Sequence, residues 1–177
     1  MRHLLALCFA LAALPAMAQT VIEDFAPPAG EWRFFTDQVM GGVSTGEATI
    51  VQGERTALRL TGEVSTENRG GFIQARRDLP EGLPEGTEAL VITVRGDGQR
   101  YFLHLRTSGT ILPWQYYQAA FDTTGDWQEL RVPLSAFSPS GGLLRDAVRP
   151  GAVRSIALVA YGRDHTAAVD LARIAVE

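Results

Sequence analysis

Short runs in which apolar and polar residues alternate recur along the chain, separated by glycine, proline, aspartate and asparagine. A period of two places successive side chains on opposite faces of a β-strand, so each run predicts a strand. The predicted strands are VIEDF, EWRFFT, EATIVQ, ALRLTGEV, GFIQARRD, EALVITVR, RYFLHLRT, YYQAAFDT, WQELRVPL, SIALVAYG and AVDLARIAV. Helical patterns are limited to short pieces around LSAF and GGLLRDAV. This pattern predicts an all-β fold, an antiparallel β-sandwich or jelly roll.

Two strand pairings are expected from the same pattern. Gly96-Asp97-Gly98 separates two alternating runs and supplies residues that accept positive φ, which predicts a β-hairpin. In its second strand, Tyr101, Leu103 and Leu105 share one face and Phe102, His104 and Arg106 share the other. The first and last runs, VIEDF and VDLARIAV, are both strand-like, so we expect the two ends of the domain to pair in one sheet.

The first eighteen residues differ in pattern from the rest. Arg2 and His3 precede an apolar run from Leu4 to Leu14, and Ala-Met-Ala stands before Gln19. This order predicts a secretory signal peptide, residues 1–18, that is cleaved to leave a single domain of residues 19–177. The run is too short to span a bilayer, which takes about 20 residues. We therefore expect a periplasmic protein with no transmembrane segment after cleavage.

Composition excludes several classes of chemistry. The only cysteine, Cys8, lies within the predicted leader, so the mature chain is expected to lack disulfides, cysteine nucleophiles and thiolate metal sites. The net charge is −4, and every basic residue other than histidine is an arginine. These arginines are spread along the chain rather than clustered, which argues against a nucleic-acid partner.

The segment DQVMGGVSTG, residues 37–46, contains the letters G-x-S-x-G of a hydrolase nucleophile elbow. That elbow requires a helix after the serine, whereas EATIVQ follows here and predicts a strand. A serine hydrolase acting through Ser44 is therefore the least favoured function, and a phosphate-binding loop is excluded because helix and lysine are both missing. No catalytic residue is predicted, and the chain is expected not to be an enzyme.

Metal and cofactor sites have little support. His104 lies in a strand and His165 in a turn, so a hydrogen-bonded role is favoured over metal ligation for both. Asp24 and Asp170 would approach each other if the termini pair, which leaves a structural calcium open beside the favoured alternatives of a capped turn or an ion pair with arginine. No metal and no cofactor are predicted.

Aromatic residues are concentrated in LPWQYYQAAF, residues 112–121. Strand alternation places Trp114 and Tyr116 on one face and Tyr117 on the other. One exposed aromatic face can stack on sugar rings or anchor a protein partner, and the alternative is that the face fills the core.

Several motifs in order resemble the complex I intermediate-associated protein 30 family, from about the first strand after the leader to Glu177. They are Trp32 and Asp37, then MGGVSTG, STENRGGF with Arg76 after it, VRGDGQRYFLHLRT, YYQAAFDT and VPLSAFSP. The resemblance implies a galactose-binding-like β-sandwich, related in shape to carbohydrate-binding modules. It also implies a non-enzymatic role, which in mitochondrial members is the assembly of respiratory complex I.

The family's signature positions can be assigned to this sequence. The structural set is Asp37, Met40, Gly41, Gly42, Ser44, Gly46, Gly70, Gly71 and Phe72, and Asn68 and Arg76 also match. Paired glycines permit close backbone approach, so we expect two neighbouring turns that brace each other, with Arg76 as a link to Asp37. The candidate binding residues are Trp114, Tyr116, Arg76 and Asn68.

Two functions remain after these considerations. The first is an exported, non-catalytic binding module that aids assembly or stability of an envelope or respiratory protein complex, with a protein partner in or near the cell envelope. The alternative is a carbohydrate-binding module with a glycan ligand.

Overall fold

The computed structural model describes residues 19–177. The predicted signal peptide, residues 1–18, and Cys8 within it lie outside the described residues. Between Gln19 and Glu177, no helix is both long enough and apolar enough to cross a membrane.

Nearly all regular structure in this part of the chain is β. The strands are β1 (Thr20–Glu23), β2 (Trp32–Thr36), β3 (Thr45–Val51), β4 (Ala57–Val64), β5 (Phe72–Asp78), β6 (Ala89–Gly96), β7 (Arg100–Thr107), β8 (Tyr117–Asp122), β9 (Gln128–Pro133), β10 (Ser138–Pro139), β11 (Val153–Tyr161) and β12 (His165–Val176). Short 3₁₀ helices cover Asp37–Met40, Glu67–Arg69, Leu134–Ala136 and Pro150–Ala152. Each strand segment predicted from the sequence overlaps an observed strand. The helical prediction around LSAF corresponds to a 3₁₀ helix, whereas GGLLRDAV, residues 141–148, forms turns.

The strands form two antiparallel sheets. Sheet A has the order β3-β4-β12-β6-β9, with β1 also paired to β12, and sheet B has the order β10-β8-β7-β11-β5-β2. The predicted antiparallel β-sandwich is confirmed. The predicted pairing of the termini is confirmed as well, because Thr20 lies opposite Val176 and Val21 lies opposite Ala175.

The hairpin predicted around Gly96-Asp97-Gly98 is wrong. Strand β6 pairs with β9 and β12 in sheet A, while β7 pairs with β8 and β11 in sheet B, so the turn connects the two sheets. Two amphipathic strands can bury their apolar faces side by side in one sheet or facing each other across a core. Alternation does not distinguish the two arrangements.

The core lies between the inner faces of the sheets. On β7, Tyr101, Leu103 and Leu105 are fully buried, as the alternation of that strand predicted. Their counterparts from both sheets are Leu58, Leu60, Leu90, Ile92, Leu171, Ile73, Ile156 and Leu158. With these side chains directed inward, the alternate residues of β2, β5, β7 and β11 are left on the outer face of sheet B.

Candidate functional site

The two paired-glycine segments meet around one buried carboxylate, that of Asp37. Asp37 is fully buried and accepts hydrogen bonds from the Ser44 backbone N–H (2.9 Å), the Ser44 hydroxyl, the Gly71 N–H and the Phe72 N–H (3.3 Å). Burial alone would raise the pKa of Asp37. The hydrogen bonds from Gly71, Ser44 and Phe72 outweigh it and hold the pKa below its usual value.

The glycines of these segments are explained by the space that this carboxylate occupies. A Cβ atom on Gly42 would lie 2.3 Å from the Asp37 Cγ atom, and one on Gly70 would lie 2.3 Å from Asp37 Oδ2. A side chain at either position would therefore displace Asp37. The Asp37 carboxylate therefore joins the two turns, and it has room there because Gly42 and Gly70 have no side chains.

Ser44 belongs to this buried cluster. Its hydroxyl donates to Asp37 and accepts the Ser65 N–H at 3.0 Å, and the residue has no exposed surface. A serine nucleophile must reach a substrate and a base, and the hydroxyl of Ser44 is turned inward to a carboxylate and to the backbone. The sequence match to G-x-S-x-G is thus accounted for by a structural role.

The residues considered for calcium have other partners. Asp24 caps the N–H of Ala26 at 3.0 Å. Asp170 is buried and binds Arg59 Nε and Arg95 Nε at 2.8 and 2.9 Å. These are the capped turn and the arginine ion pair that the sequence favoured. In residues 19–177, no group of three or more metal-ligating side chains is close enough together to hold an ion.

A cleft of about 760 Å³ lies on the outer face of sheet B, next to the Asp37 cluster. Its floor is formed by alternate residues of β5, β7 and β11. On β11 these are the small or medium residues Ser155, Ala157 and Val159, which leave the middle of the sheet open. Bulkier side chains line the two sides of the cleft. Trp114 and Tyr116 come from the turn before β8, and Val39 and Met40 come from the turn after β2.

One side of the cleft is aromatic. Tyr116 stacks on His104, with ring centroids 4.0 Å apart and an interplanar angle of 8°, and Tyr161 meets the His104 ring edge-on at 6.0 Å. Trp114 stands above them with 67% of its surface exposed. Burial lowers the pKa of His104 to about 3, so its ring is neutral at pH 7.

The loop that carries Trp114 is held in place from two directions. Arg106 donates to the carbonyl oxygens of Pro113 (2.8 Å) and Leu112 (3.1 Å). The Ser140 hydroxyl donates to the Trp114 carbonyl and accepts the Tyr116 N–H, both at 3.0 Å. These contacts fix the position of the aromatic wall.

Arg76 lies on the opposite side. Its guanidinium carbon is 4.6 Å from the centroid of the Phe35 ring, and its Nε atom is buried with no hydrogen-bond partner within residues 19–177. The predicted link to Asp37 is wrong, because the hydrogen bonds to the Asp37 carboxylate come from Ser44 and from the backbone. Strand alternation directs Arg76 to the cleft, while Asp37 faces the turns.

The predicted binding residues divide into two groups. Trp114, Tyr116 and Arg76 all line the cleft, although they come from different strands or loops. Asn68 does not line it; it is exposed and adopts left-handed φ (54°) in the turn that presents Arg69 and Gly70 to the cleft.

The signature residues assigned a structural role fall into four groups. Asp37, Ser44, Gly42, Gly70 and Gly71 form the buried cluster, with Gly41 closing the preceding 3₁₀ helix at φ 92°. Gly46 lies in β3 opposite Gly62. Met40, however, is 63% exposed and lines the cleft beside Val39, so its side chain does not support the core. Phe72 joins both regions, with its N–H on Asp37 and its ring in the cleft.

Several cleft residues were not singled out from the sequence as a binding set. They are Phe35, Gln74, His104, Arg106 and Tyr161. Alternation places each on the outward face of its strand, which was a usable signal. The sequence does not say that these strands are neighbours in one sheet, and the set is visible only once the strand order is known.

Solved structures with the same fold include carbohydrate-binding modules. The family 11 carbohydrate-binding module of the cellulosomal cellulase Lic26A-Cel5E of Clostridium thermocellum has a TM-score of 0.73 at 13% identity, over 92% of this chain and 95% of that chain. The same kind of module, in complex with a β-1,3-1,4-mixed-linked tetrasaccharide, gives 0.72 at 14% identity, over 92% and 96%. A family 30 carbohydrate-binding module gives 0.59 at 14% identity, over 91% and 99%. These likenesses establish the fold.

Sequence comparison supplies the family. No curated protein matches the sequence significantly. The family model described as complex I intermediate-associated protein 30 (CIA30) matches residues 24–171, which include the Asp37 cluster and all of the strands that form the cleft. The chain therefore belongs to the complex I intermediate-associated protein 30 family.

Proposed function

We propose that this protein is a non-catalytic glycan-binding module and that the outer cleft of sheet B holds a short oligosaccharide. The observation that carries the proposal is the open aromatic wall of Trp114 and Tyr116 above the small side chains of β11. Ligand sites combine such apolar surfaces with a few fixed polar groups, which Gln74 and Arg76 supply here.

The dimensions of the cleft suit a chain-like ligand. Its lining comes from five adjacent strands or their flanking turns, β8-β7-β11-β5-β2. Four inter-strand spacings of about 4.8 Å give the cleft a length of roughly 19 Å in the direction across the strands. This length accommodates several sugar rings. The family 11 module of C. thermocellum, which shares the fold, was solved with a tetrasaccharide.

The test is binding of a glycan panel to residues 19–177, measured by calorimetry. We expect Trp114→Ala and Tyr116→Ala each to weaken binding about 10-fold or more, since buried aromatic contacts dominate such interfaces. Trp127→Ala is the matched control, because Trp127 packs on Arg95 of sheet A, away from the cleft. Failure of the native protein to bind any member of a broad panel would refute the proposal.

A second candidate function, docking to a protein partner, is favoured by a separate observation. Val39, Met40 and Val43 project apolar side chains from the turn after β2, with 75%, 63% and 41% of their surfaces exposed. Exposed apolar groups that adjoin one another suit a protein contact. The family description names association with complex I intermediates, and an assembly role for this chain is consistent with it.

The two candidates are separated by a variant at this turn. Val43 is exposed at this turn and, unlike Val39 and Met40, does not line the cleft. Val43→Ser should therefore weaken capture of a specific envelope partner while glycan binding through Trp114 persists. A partner captured equally well by the native chain and by this variant would argue against docking at the turn.

We also propose that the module acts outside the cytoplasm, on the basis of the signal-like pattern in residues 1–18. The full-length chain expressed in a Gram-negative host should appear in the periplasmic fraction, with Gln19 as its first residue by mass spectrometry. An unprocessed cytoplasmic chain would contradict export.

A further inference from the structure

The cleft differs in charge from the molecule that carries it. The whole chain has a net charge of −4. The charged side chains that line the cleft are all arginines, Arg69, Arg76 and Arg106, and no aspartate or glutamate of residues 19–177 lines it. A low-dielectric concave surface with one sign of charge concentrates ligands of the opposite sign.

The arginines of the cleft also lack the carboxylate partners found elsewhere in the fold. Arg59 and Arg95 share Asp170, Arg77 binds Glu23 at 2.6 Å, and Arg100 binds Asp122 at 2.9 Å. Arg106 instead donates to backbone carbonyls.

Arg76 rests on Phe35 with its buried Nε unpaired among the described residues. Desolvation, together with the charge of Arg33, lowers the pKa of Arg76, although an arginine remains protonated at pH 7. A buried donor without a partner is uncommon in folded proteins, and a ligand in the cleft would supply one for Arg76.

The strand register places a hollow next to this donor. Arg76 lies opposite Ala157, and Ala157 lies opposite His104 on its other side, so the three share one row across β5, β11 and β7. The Ala157 methyl group leaves space between the guanidinium and the His104–Tyr116 stack. His104, which is 8% exposed, forms the other end of this row.

We propose, as an extension of the proposed function and resting on it, that the glycan bound in this cleft is acidic, with a uronate carboxylate held by Arg76. The ring of that sugar stacks on the aromatic wall while its carboxylate lies over Ala157. Guanidinium groups suit this role because their planar N–H fork matches the two oxygens of a carboxylate. Asp78, the carboxylate whose charge acts on Arg76, is already paired with Arg33.

The experiment measures binding of residues 19–177 to oligomers of galacturonate, glucuronate and mannuronate, each beside its carboxyl-reduced neutral counterpart. Neutral β-glucans, sulfated glycans and polyglutamate complete the panel. We expect at least one uronate oligomer to bind about 10-fold or more tightly than its reduced form, since charge-assisted hydrogen bonds of this kind exceed that factor. Its affinity should fall as salt is added.

Arg76→Gln should reduce the preference for the uronate over its reduced form to less than about threefold, a ratio that is independent of any loss of affinity common to both forms. Arg55→Gln, in the β3–β4 turn of sheet A, is the matched control and should keep the full preference. Circular dichroism and thermal melting establish that both variants are folded.

The outcomes separate this inference from the proposed function. Equal or weaker binding of uronates relative to their reduced forms would overturn the inference and leave the glycan-binding function standing. Binding of sulfated glycans only would overturn the carboxylate assignment. Binding of polyglutamate with no saccharide bound would overturn both, as would binding of nothing on the panel.

Discussion

Asp37 shows how one residue organises two distant turns. Its carboxylate receives donors from Ser44, Gly71 and Phe72, segments that are far apart in sequence. Those donors would otherwise be buried without partners, and the carboxylate would otherwise be a buried unpaired charge. The adjoining residues Met40 and Gly70 line the cleft, so this cluster fixes one of its edges.

Replacement of Asp37 by asparagine tests this role. Asp37→Asn places an amide N–H₂ among N–H and O–H donors and should lower the free energy of unfolding at pH 7 by about 2–3 kcal/mol. The pKa of Asp37 is lowered in the folded protein, so its stabilisation is complete above the unfolded pKa near 4 and is lost as pH falls through the folded value. Urea unfolding between pH 7 and pH 2.5 should show the native and variant curves converging at low pH.

The exposed residue Asp126 supplies the control for that measurement. Its side chain makes no hydrogen bond within the described residues, and Asp126→Asn should be neutral. A difference between native protein and Asp37→Asn that stays constant down to pH 2.5 would contradict the assignment of Asp37 as a charged acceptor.

The glycines beside Asp37 make a second prediction at the residue scale. Gly70→Ala should lower stability by about 1–3 kcal/mol, because the new methyl group overlaps Asp37 Oδ2. Gly141→Ala is the control, since nothing lies within 4 Å of its Cβ position. The midpoints of thermal unfolding of the two variants test this prediction. Equal midpoints would show that the structure around Asp37 accommodates the new methyl group without loss of stability.

At the scale of elements, side chains as well as backbone hydrogen bonds join neighbouring strands. Asp170 on β12 binds Arg59 on β4 and Arg95 on β6, so one carboxylate joins three strands of sheet A. Tyr101 links β7 of sheet B to sheet A, because its hydroxyl accepts the Ala168 N–H of β12 at 2.8 Å. Such contacts fix which strands are neighbours.

Asp170→Asn should lower the free energy of unfolding by roughly 1–2 kcal/mol at pH 7, a moderate value because both arginines are partly exposed. Burial raises the pKa of Asp170, but Arg59 and Arg95 outweigh it and lower the pKa, so this stabilisation too is lost as the solution is acidified. Asp122→Asn, which breaks an exposed pair with Arg100, should cost much less. Equal effects of the two variants in urea unfolding would contradict the role of burial.

At the scale of the whole molecule, the first strand closes the fold. Strand β1 pairs with β12, and the buried carboxylate of Glu23 accepts from the Phe25 N–H at 2.8 Å, the Trp32 indole at 3.2 Å and Arg77 at 2.6 Å. Arg77 lies on β5 of sheet B, whereas β1 pairs with β12 of sheet A. Glu23 therefore ties the amino-terminal segment to both sheets.

Deletion of residues 19–23 should therefore lower the midpoint of thermal unfolding while leaving one cooperative transition. The deletion removes Glu23, the ion-pair partner of Arg77. Loss of a buried ion-pair partner lowers the free energy of unfolding by about 3 kcal/mol, which lowers the midpoint by roughly 6–12 °C for a domain of this size. Calorimetry of the chain starting at Asp24 measures the shift, and a chain lacking only Gln19 is the control. An unchanged midpoint would show that β1 is dispensable.

Sequence alone determined the local structure, because strand alternation and turn residues act over short distances. Runs such as RYFLHLRT coincide with strands, and the inward face of Tyr101, Leu103 and Leu105 follows from their spacing. The family signature also indicated that the two glycine pairs would be neighbours. Asp37 was expected to accept backbone N–H groups at these turns, but the particular donors, Ser44, Gly71 and Phe72, were not predicted.

Only the tertiary structure decided strand order, and with it the cleft. Whether β6 and β7 share a sheet, or whether Arg76 faces Asp37 or Ala157, depends on contacts between residues distant in sequence. Each alternating strand has an outward face, and several arrangements would bury the inward faces equally well. Trp114, Tyr116 and Arg76 line one surface because β8, β7, β11 and β5 lie side by side with small residues on the strand between them.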